Sequence, residues 1–362
     1  MTETLRPPLE FGWFLPTSGD TTCYGDPACF VEPSAALFDR VVLAAEAAGF
    51  EYFLVPVATT CWEAWISSAM AVAKTRRIRA LVAARPGYVS PVQLAKMGAA
   101  FDRLSGGRLA INLIAGQSEI ETAAEGIVLA KQDRYALMDE DVTIMKALWA
   151  GGPVDFAGRF HTLKGARIAP VPAKMPRFYL GGGSAEAWEL SAKHSDIHLF
   201  WGDTPERIAA NIVDIRGMAA RHGRADTIGF GMRLQILCRR TEAEAWDAAH
   251  ELVRGVTDAQ TRYVRTHYAS SAANRRVQQL AREHGDLIGP HLWTGVTRVR
   301  PGAGIVVVGN PAQCAETLQQ FIDLGCESFC LSGYPHDTEA ARFARWVRPL
   351  LAERNQGRML AA

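Results

Sequence analysis

The chain has 362 residues, 48% of them hydrophobic, with 39 Lys and Arg against 38 Asp and Glu. That is enough apolar material for a large core, and without a basic stripe nucleic acid and anionic membrane surfaces are excluded as partners. No apolar run approaches the roughly 20 residues of a membrane span. The first residues, MTETLRPPLEFGWF, lack a positive segment followed by an apolar stretch, so no secretion signal is expected. Seven cysteines without paired spacing read as reduced thiols in a cytoplasmic protein; CESFC (326–330) lacks zinc or redox spacing.

Short apolar runs alternate with helix-like segments along the chain. FGWFLP (11–16) precedes a helix over 33–48, and YFLVP (52–56) one that passes through Trp65 and Ala73. RALVAARP (79–86) leads to a helix over 91–104, and RLAINLIAG (108–116) is followed later by one over 135–149. RFYLGG (177–182) opens onto a helix starting at Ser184, and IHLFWG (197–202) precedes one ending near His222. GFGMRLQILCR (229–239) comes before a helix from Thr241; an extra GIVVVG run and a helix over 311–324 follow, then SFCLSGYP (328–335) and a last helix.

Near-continuous apolar strands alternating with helices imply a parallel sheet covered on both faces, and eight such units close a (β/α)₈ TIM barrel. An open doubly wound sheet rarely runs to eight regular units. The expectation is one domain over 1–362 with insertions at 117–132, 151–176 and 255–303, the last a lid over the active site.

In such a barrel the residues that do chemistry sit at the carboxyl ends of the strands. LGGGS (180–184) offers a phosphate site there. Gly182 and Gly183 let backbone approach closely, and Ser184 opens a helix whose free N–H groups favour an anion. An ordinary glycine-rich turn with Ser184 as N-cap explains the same residues equally well. Arg233, a cation inside an apolar run, needs either an anionic ligand or an internal carboxylate. Arg300, in a Gly-rich loop, is a clamp or simply solvated. Trp201 and Tyr334 line a pocket or fill core, and Cys61 is a nucleophile or a buried thiol. The histidines show no metal-ligand spacing, so no metal is expected.

In collinear order, GWFLPTSGD (12–20), CWEAW (61–65), VAARP (82–86), FDRLSGGRL (101–109), INLIAG (111–116), LGGGS, FWGDTPE (200–206), FGMRL (230–234), VRPGAG (299–304) and LSGYPH (331–336) resemble the alkanesulfonate monooxygenases, within the bacterial luciferase-like flavin barrels. The resemblance covers almost the whole chain. It implies a homodimer or homotetramer that takes reduced FMN (FMNH2) from a separate NAD(P)H-dependent flavin reductase. With O2 as co-substrate, it would cleave the C–S bond of an organosulfonate to sulfite and a carbonyl product.

Carried over by position, Asn112, Arg134, Tyr135 and Ser184 would contact FMN, alongside Gly182 and Gly183. Arg233, Arg300, Trp201, Tyr334 and His336 would surround the sulfonate, with Cys61 as the family's active-site cysteine. Two family histidines are replaced, by Ser18 and Gln235, both expected to face the substrate. Smaller, neutral groups there point to a hydroxylated sulfonate such as sulfoquinovose, with a simple alkanesulfonate as the alternative. A deazaflavin-dependent dehydrogenase on the same barrel, or a non-catalytic flavin or sulfonate binder, are the rival readings.

Overall fold

The computed structural model describes residues 7–116 and 118–359. Residues 1–6 and 360–362 of the expected 1–362 unit, and Gln117 at the start of the expected 117–132 insertion, lie outside the described residues. Eight strands form the expected barrel: β1 Glu10–Phe14, β2 Tyr52–Val55, β3 Arg79–Ala84, β4 Leu109–Leu113, β5 Arg177–Gly181, β6 Ile197–Trp201, β7 Gly229–Cys238 and β8 Cys326–Ser332. Each pairs in parallel with its neighbours; β1 lies between β2 and β8, and β6 pairs with β7, which closes the sheet. Helices follow the strands with the start signals their sequences carry. Ser34, Ser90, Ser184, Thr204 and Asn310 each cap a helix through a side-chain oxygen, with Pro91, Pro205 and Pro311 in first turns.

Side chains alternate along each strand, so every strand feeds two cores. Phe11, Trp13, Phe53 and Phe178 point outward into the layer beneath the helices and are fully buried. Tyr52, Leu54, Leu81, Ala110, Tyr179, Leu199 and Cys330 fill the lumen together with Phe14. At the amino end of the lumen Glu10 accepts hydrogen bonds from Arg79 at 2.6 Å, Arg177 at 3.1 Å and the Tyr179 hydroxyl. A buried carboxylate shared by two guanidiniums plugs that end, and despite its burial the two charges and the Tyr179 hydroxyl hold Glu10 below its ordinary pKa. The open end of the lumen is therefore the carboxyl end.

The insertions are structured. Residues 151–176 contain an antiparallel hairpin of Val154–Ala157 with Thr162–Ala166, and 117–132 contains the short helix Glu119–Ala124. The 255–303 segment folds into helices Asp258–His267 and Ala272–His284, two short strands and a 3₁₀ turn. The extra GIVVVG strand, Val306–Gly309, pairs in parallel with the outer half of β7. β7 outruns β6: its first half pairs with β6 and its second half with this strand, which opens the wall at Gln235. The C-terminal helix is interrupted by a π-helical turn at Phe343–Val347.

Candidate active site

A cavity of about 310 Å³ lies at the carboxyl ends of the strands. β1 and its turn supply Phe14 and Ser18, β2 Leu54 and the following Cys61, β4 Asn112, β6 Leu199 and Trp201, and β7 Arg233. The long insertion closes the far side with Tyr268, Ser271, Ala272 and Ala273, and with Arg300 to Ala303. A largely apolar cleft with a few convergent polar groups is the usual form of a small-molecule site.

One end is built around the turn after β5. Gly182 has φ 149, a conformation L side chains rarely adopt, and a Cβ there would come within 2.8 Å of Ala187. Ser184 caps helix Ala185–His194, and Tyr135 stands beside the Ser184 hydroxyl. Arg134 is buried here, with no carboxylate partner among the described residues. It donates to the carbonyls of Ala115 at 2.8 Å and Leu129 at 2.7 Å. Lys131, also at the wall, pairs with Glu186 at 2.9 Å. Free helix N–H groups, glycine backbone and the Arg134 guanidinium converge, an arrangement that suits an anion. Between the ends, Asn112 is buried and its Oδ1 has no hydrogen-bond partner among the described residues. A buried amide oxygen without a donor is costly, and a ligand carrying an N–H would satisfy it.

The other end is built around Phe14. The Arg233 guanidinium lies 4.7 Å from the centre of that ring and the Arg300 guanidinium 5.2 Å. Arg233 donates to the Leu234 carbonyl at 2.7 Å and to Ser332 Oγ at 3.0 Å. Among the described residues neither arginine has a carboxylate partner. Burial lowers the Arg233 pKa, and the neighbouring Arg300 charge adds to that. Two like charges on one ring, at 6% exposure for Arg233, form a site that needs an anion. Cys61 lies beside the Thr17 and Ser18 hydroxyls, and burial pushes its thiol pKa up, so it rests as the neutral thiol.

The structure thus brings Ser18, Cys61, Asn112, Arg134, Tyr135, Gly182, Gly183, Ser184, Trp201, Arg233 and Arg300 to one cavity. Three expected residues do not line it. Gln235 turns its amide to the Ala303 carbonyl at 2.9 Å, because the opened wall beyond β6 places it beneath the Arg300 loop. His336 is drawn away by Asp20, whose carboxylate meets its Nδ1 at 2.8 Å and its N–H at 2.9 Å. Tyr334 packs against Tyr24 and His336, behind Arg300.

The residues that sequence reasoning missed are Phe14, Lys131, Tyr268 and the cluster around Arg85. That arginine is paired with Glu121 at 2.9 Å and with Glu125, so it is not a free anion site. The spacing of Glu121 and Glu125, one helical turn, was the available signal. Tyr268 meets this cluster from the insertion; burial and the Glu121 charge push its pKa up to about 12. Among the described residues no group of three or more His, Cys, Asp or Glu could hold a metal ion, and no helix is long and apolar enough to cross a membrane.

The family model for luciferase-like monooxygenases matches residues 9–328. Among solved structures, the chain is similar to the riboflavin lyase RcaE, described with modified FMN and riboflavin as substrate. The TM-score is 0.81 at 18% identity, over 98% of this chain and 93% of that one. It is also similar to the EDTA monooxygenase EmoA of Chelativorans sp. BNC1, with TM-score 0.76, 17% identity and coverage of 96% and 94%. An F420-dependent secondary alcohol dehydrogenase follows at 0.70, 17%, 95% and 99%. At these identities the structural likeness speaks for the fold.

Proposed function

Since the chain belongs to the luciferase-like monooxygenase family, we propose that it is an FMNH2-dependent monooxygenase that cleaves the C–S bond of an organosulfonate with O2. For a primary sulfonate the balance is R–CH2–SO3⁻ + O2 + FMNH2 → R–CHO + HSO3⁻ + H2O + FMN. The observation that carries the reading is the pair Arg233 and Arg300 on Phe14, cations without a carboxylate. A sulfonate is a permanent anion with three acceptor oxygens, suited to two guanidinium forks.

The residues present fit a reduced flavin mononucleotide. Gly182, Gly183, Ser184, Arg134 and Tyr135 would hold its phosphate, and Asn112 would accept from the ring system. When bound, reduced FMN supplies the two electrons that activate O2. Arg233 and Arg300 bind and orient the sulfonate, and Trp201 and Leu199 keep water from the middle of the cavity. Cys61, held as a neutral thiol next to Ser18, adds no negative charge opposite the anion. The hydroxyl of Ser18, with Thr60 and Glu121 farther along the wall, favours a hydroxylated sulfonate such as sulfoquinovose over a simple alkanesulfonate. The protein would work in the cytoplasm as a homodimer or homotetramer, supplied by a separate NAD(P)H-dependent flavin reductase.

A sulfite-release assay over a panel of sulfonates, with FMN, NADH and a generic flavin reductase, tests this. Sulfite from a sulfonate, stoichiometric with O2 consumed, is expected. No sulfite from any member, or hydride transfer with a deazaflavin instead, would refute it.

A further inference from the structure

Arg300 is not a barrel residue. It stands on the 299–304 strap, VRPGAG, and its guanidinium rests on Phe14 beside the like-charged Arg233. The side chain forms no hydrogen bond or ion pair with a described residue that would hold it there. Arg233 beside it carries the same charge and so gives it no attractive partner. Its position must therefore be imposed through the backbone, and this backbone is poorly suited to the task. Gly302 adopts φ 93 and Gly304 packs against Thr297, so the strap has two residues of wide conformational freedom.

Three side-chain amides from two bodies hold the strap and the 3₁₀ turn that leads into it. From β7, Gln235 Nε2 donates to the Ala303 carbonyl at 2.9 Å. From helix Ala272–His284, Asn274 Oδ1 accepts the Gly302 N–H at 2.9 Å, in a buried bond. One turn later on the same helix, Gln278 Nε2 donates to the Thr297 carbonyl at 2.9 Å. The helix is itself fastened to the loop after β6, where Arg276 grips Asp203 through bonds of 2.7 and 2.8 Å. Its first turn is part of the cavity wall, with Ala273 packed against Gly183 of the anion-binding turn. One helix thus touches the phosphate end of the cavity and, one residue on, holds the strap that carries Arg300.

We propose that Asn274 is a positioning residue for Arg300: its bond to Gly302 fixes the strap so that the guanidinium stays against Phe14, next to Arg233. The proposal rests on the reading of Arg300 as an anion contact. Removing the acceptor leaves a buried N–H unmet and frees the two-glycine strap, so that the backbone no longer holds Arg300 against Phe14. The expected consequence is that substrate capture suffers through Arg300, while the flavin site, on the other side of the helix start, does not.

The test compares Asn274→Ala, Asn274→Asp and Arg300→Ala with the wild-type protein. Readouts are KM and kcat for the best sulfonate of the panel, anaerobic affinity for reduced FMN, and hydrogen exchange of segments 296–304 and 272–284. Asn274→Ala is expected to raise KM about tenfold, the effect of one lost buried hydrogen bond, with kcat and FMN affinity nearly unchanged. The 296–304 segment should exchange at least about tenfold faster while 272–284 keeps its protection. Asn274→Asp keeps the acceptor and should recover most of the KM. A strap that loosens without any rise in KM overturns the proposal. So does a rise in KM accompanied by loss of protection throughout 272–284, which would mark a merely structural role. If Arg300→Ala itself leaves KM unchanged, the reading of Arg300 beneath the proposal is what fails.

Discussion

Replacing Arg233 by Met keeps the length of the side chain and removes its charge. In the folded protein the guanidinium gives up two short hydrogen bonds, to the Leu234 carbonyl and Ser332 Oγ, and a cation–π contact with Phe14, besides a long bond of 3.4 Å to the Cys330 carbonyl that adds little. The bonds are worth about 1.5 kcal/mol each and the ring contact about 1–2 kcal/mol, so roughly 4–5 kcal/mol is lost. Against this, the variant no longer buries an uncompensated ion, a cost of several kcal/mol, and no longer repels Arg300. The two sides nearly cancel. Folding stability of Arg233→Met should stay within about 1–2 kcal/mol of wild type, in contrast to the 3–5 kcal/mol lost when one partner of a buried ion pair is removed.

Binding has no such compensation. Two charge-assisted bonds to the sulfonate, at about 1.5 kcal/mol each, correspond to a loss on the order of a hundredfold in kcat/KM. Arg233→Lys keeps the charge without the planar fork and should fall between. Denaturant unfolding, anaerobic titration with reduced FMN and sulfite release together decide the matter. A Met variant that loses about 3 kcal/mol or more and binds FMN poorly would mean that Arg233 supports the fold. One that is stable and still releases sulfite with wild-type kcat/KM would remove Arg233 from the site.

Gly182→Ala puts a Cβ into a strained φ and against Ala187, at about 1–3 kcal/mol. It should cost about tenfold or more in affinity for reduced FMN and much less for reduced riboflavin; an unchanged preference between the two flavins would contradict the phosphate assignment. Glu327, at the amino end of the barrel, is pushed up by burial from the ordinary value near 4.5 to about 7. The folded state therefore holds a proton that the unfolded state releases between those pH values, and stability falls as pH rises through that window. Glu327→Gln should be the more stable protein at pH 8, by at most about 3 kcal/mol, with the gap closing towards pH 4.5. A gap of equal size at pH 5 and pH 8 would refute this.

The barrel was legible because β3, β4, β6 and β8 are nearly continuous apolar runs, as strands buried on both faces must be. Arg233 stood out as a charge in the middle of the apolar β7 run, and the glycine turn announced itself by composition. Gln235 was misplaced for a physical reason. Strand parity puts it on the same inward face as Arg233, but parity says nothing about height, and β7 has passed the end of β6 by that point. His336 follows a strand end as a site residue should, yet its direction is set by Asp20, 316 residues away in sequence. Tyr268 and Asn274 lie in a polar insertion where periodicity shows a helix at most. Thr257 with Gln260 did carry a capping-box signature for the first helix of that insertion.

The inward arginines of the barrel show what the fold can do with a buried cation. Arg79 and Arg177 share Glu10, and Arg85 takes Glu121 and Glu125. Nothing in the topology prevented a carboxylate from reaching Arg233 in the same way, since β8 places Ser332 within 3.0 Å of it. A glutamate or aspartate at such a position would have neutralised the charge and discarded the site. At the opposite end Arg134 likewise keeps company with carbonyls rather than carboxylates. The cavity therefore has two electropositive ends joined by an apolar middle of Leu54, Ala83, Ile114 and Leu199. A single small anion would use one end and leave the other unsatisfied. On the proposed function, a flavin phosphate at the glycine turn and a sulfonate at Phe14 would use both ends.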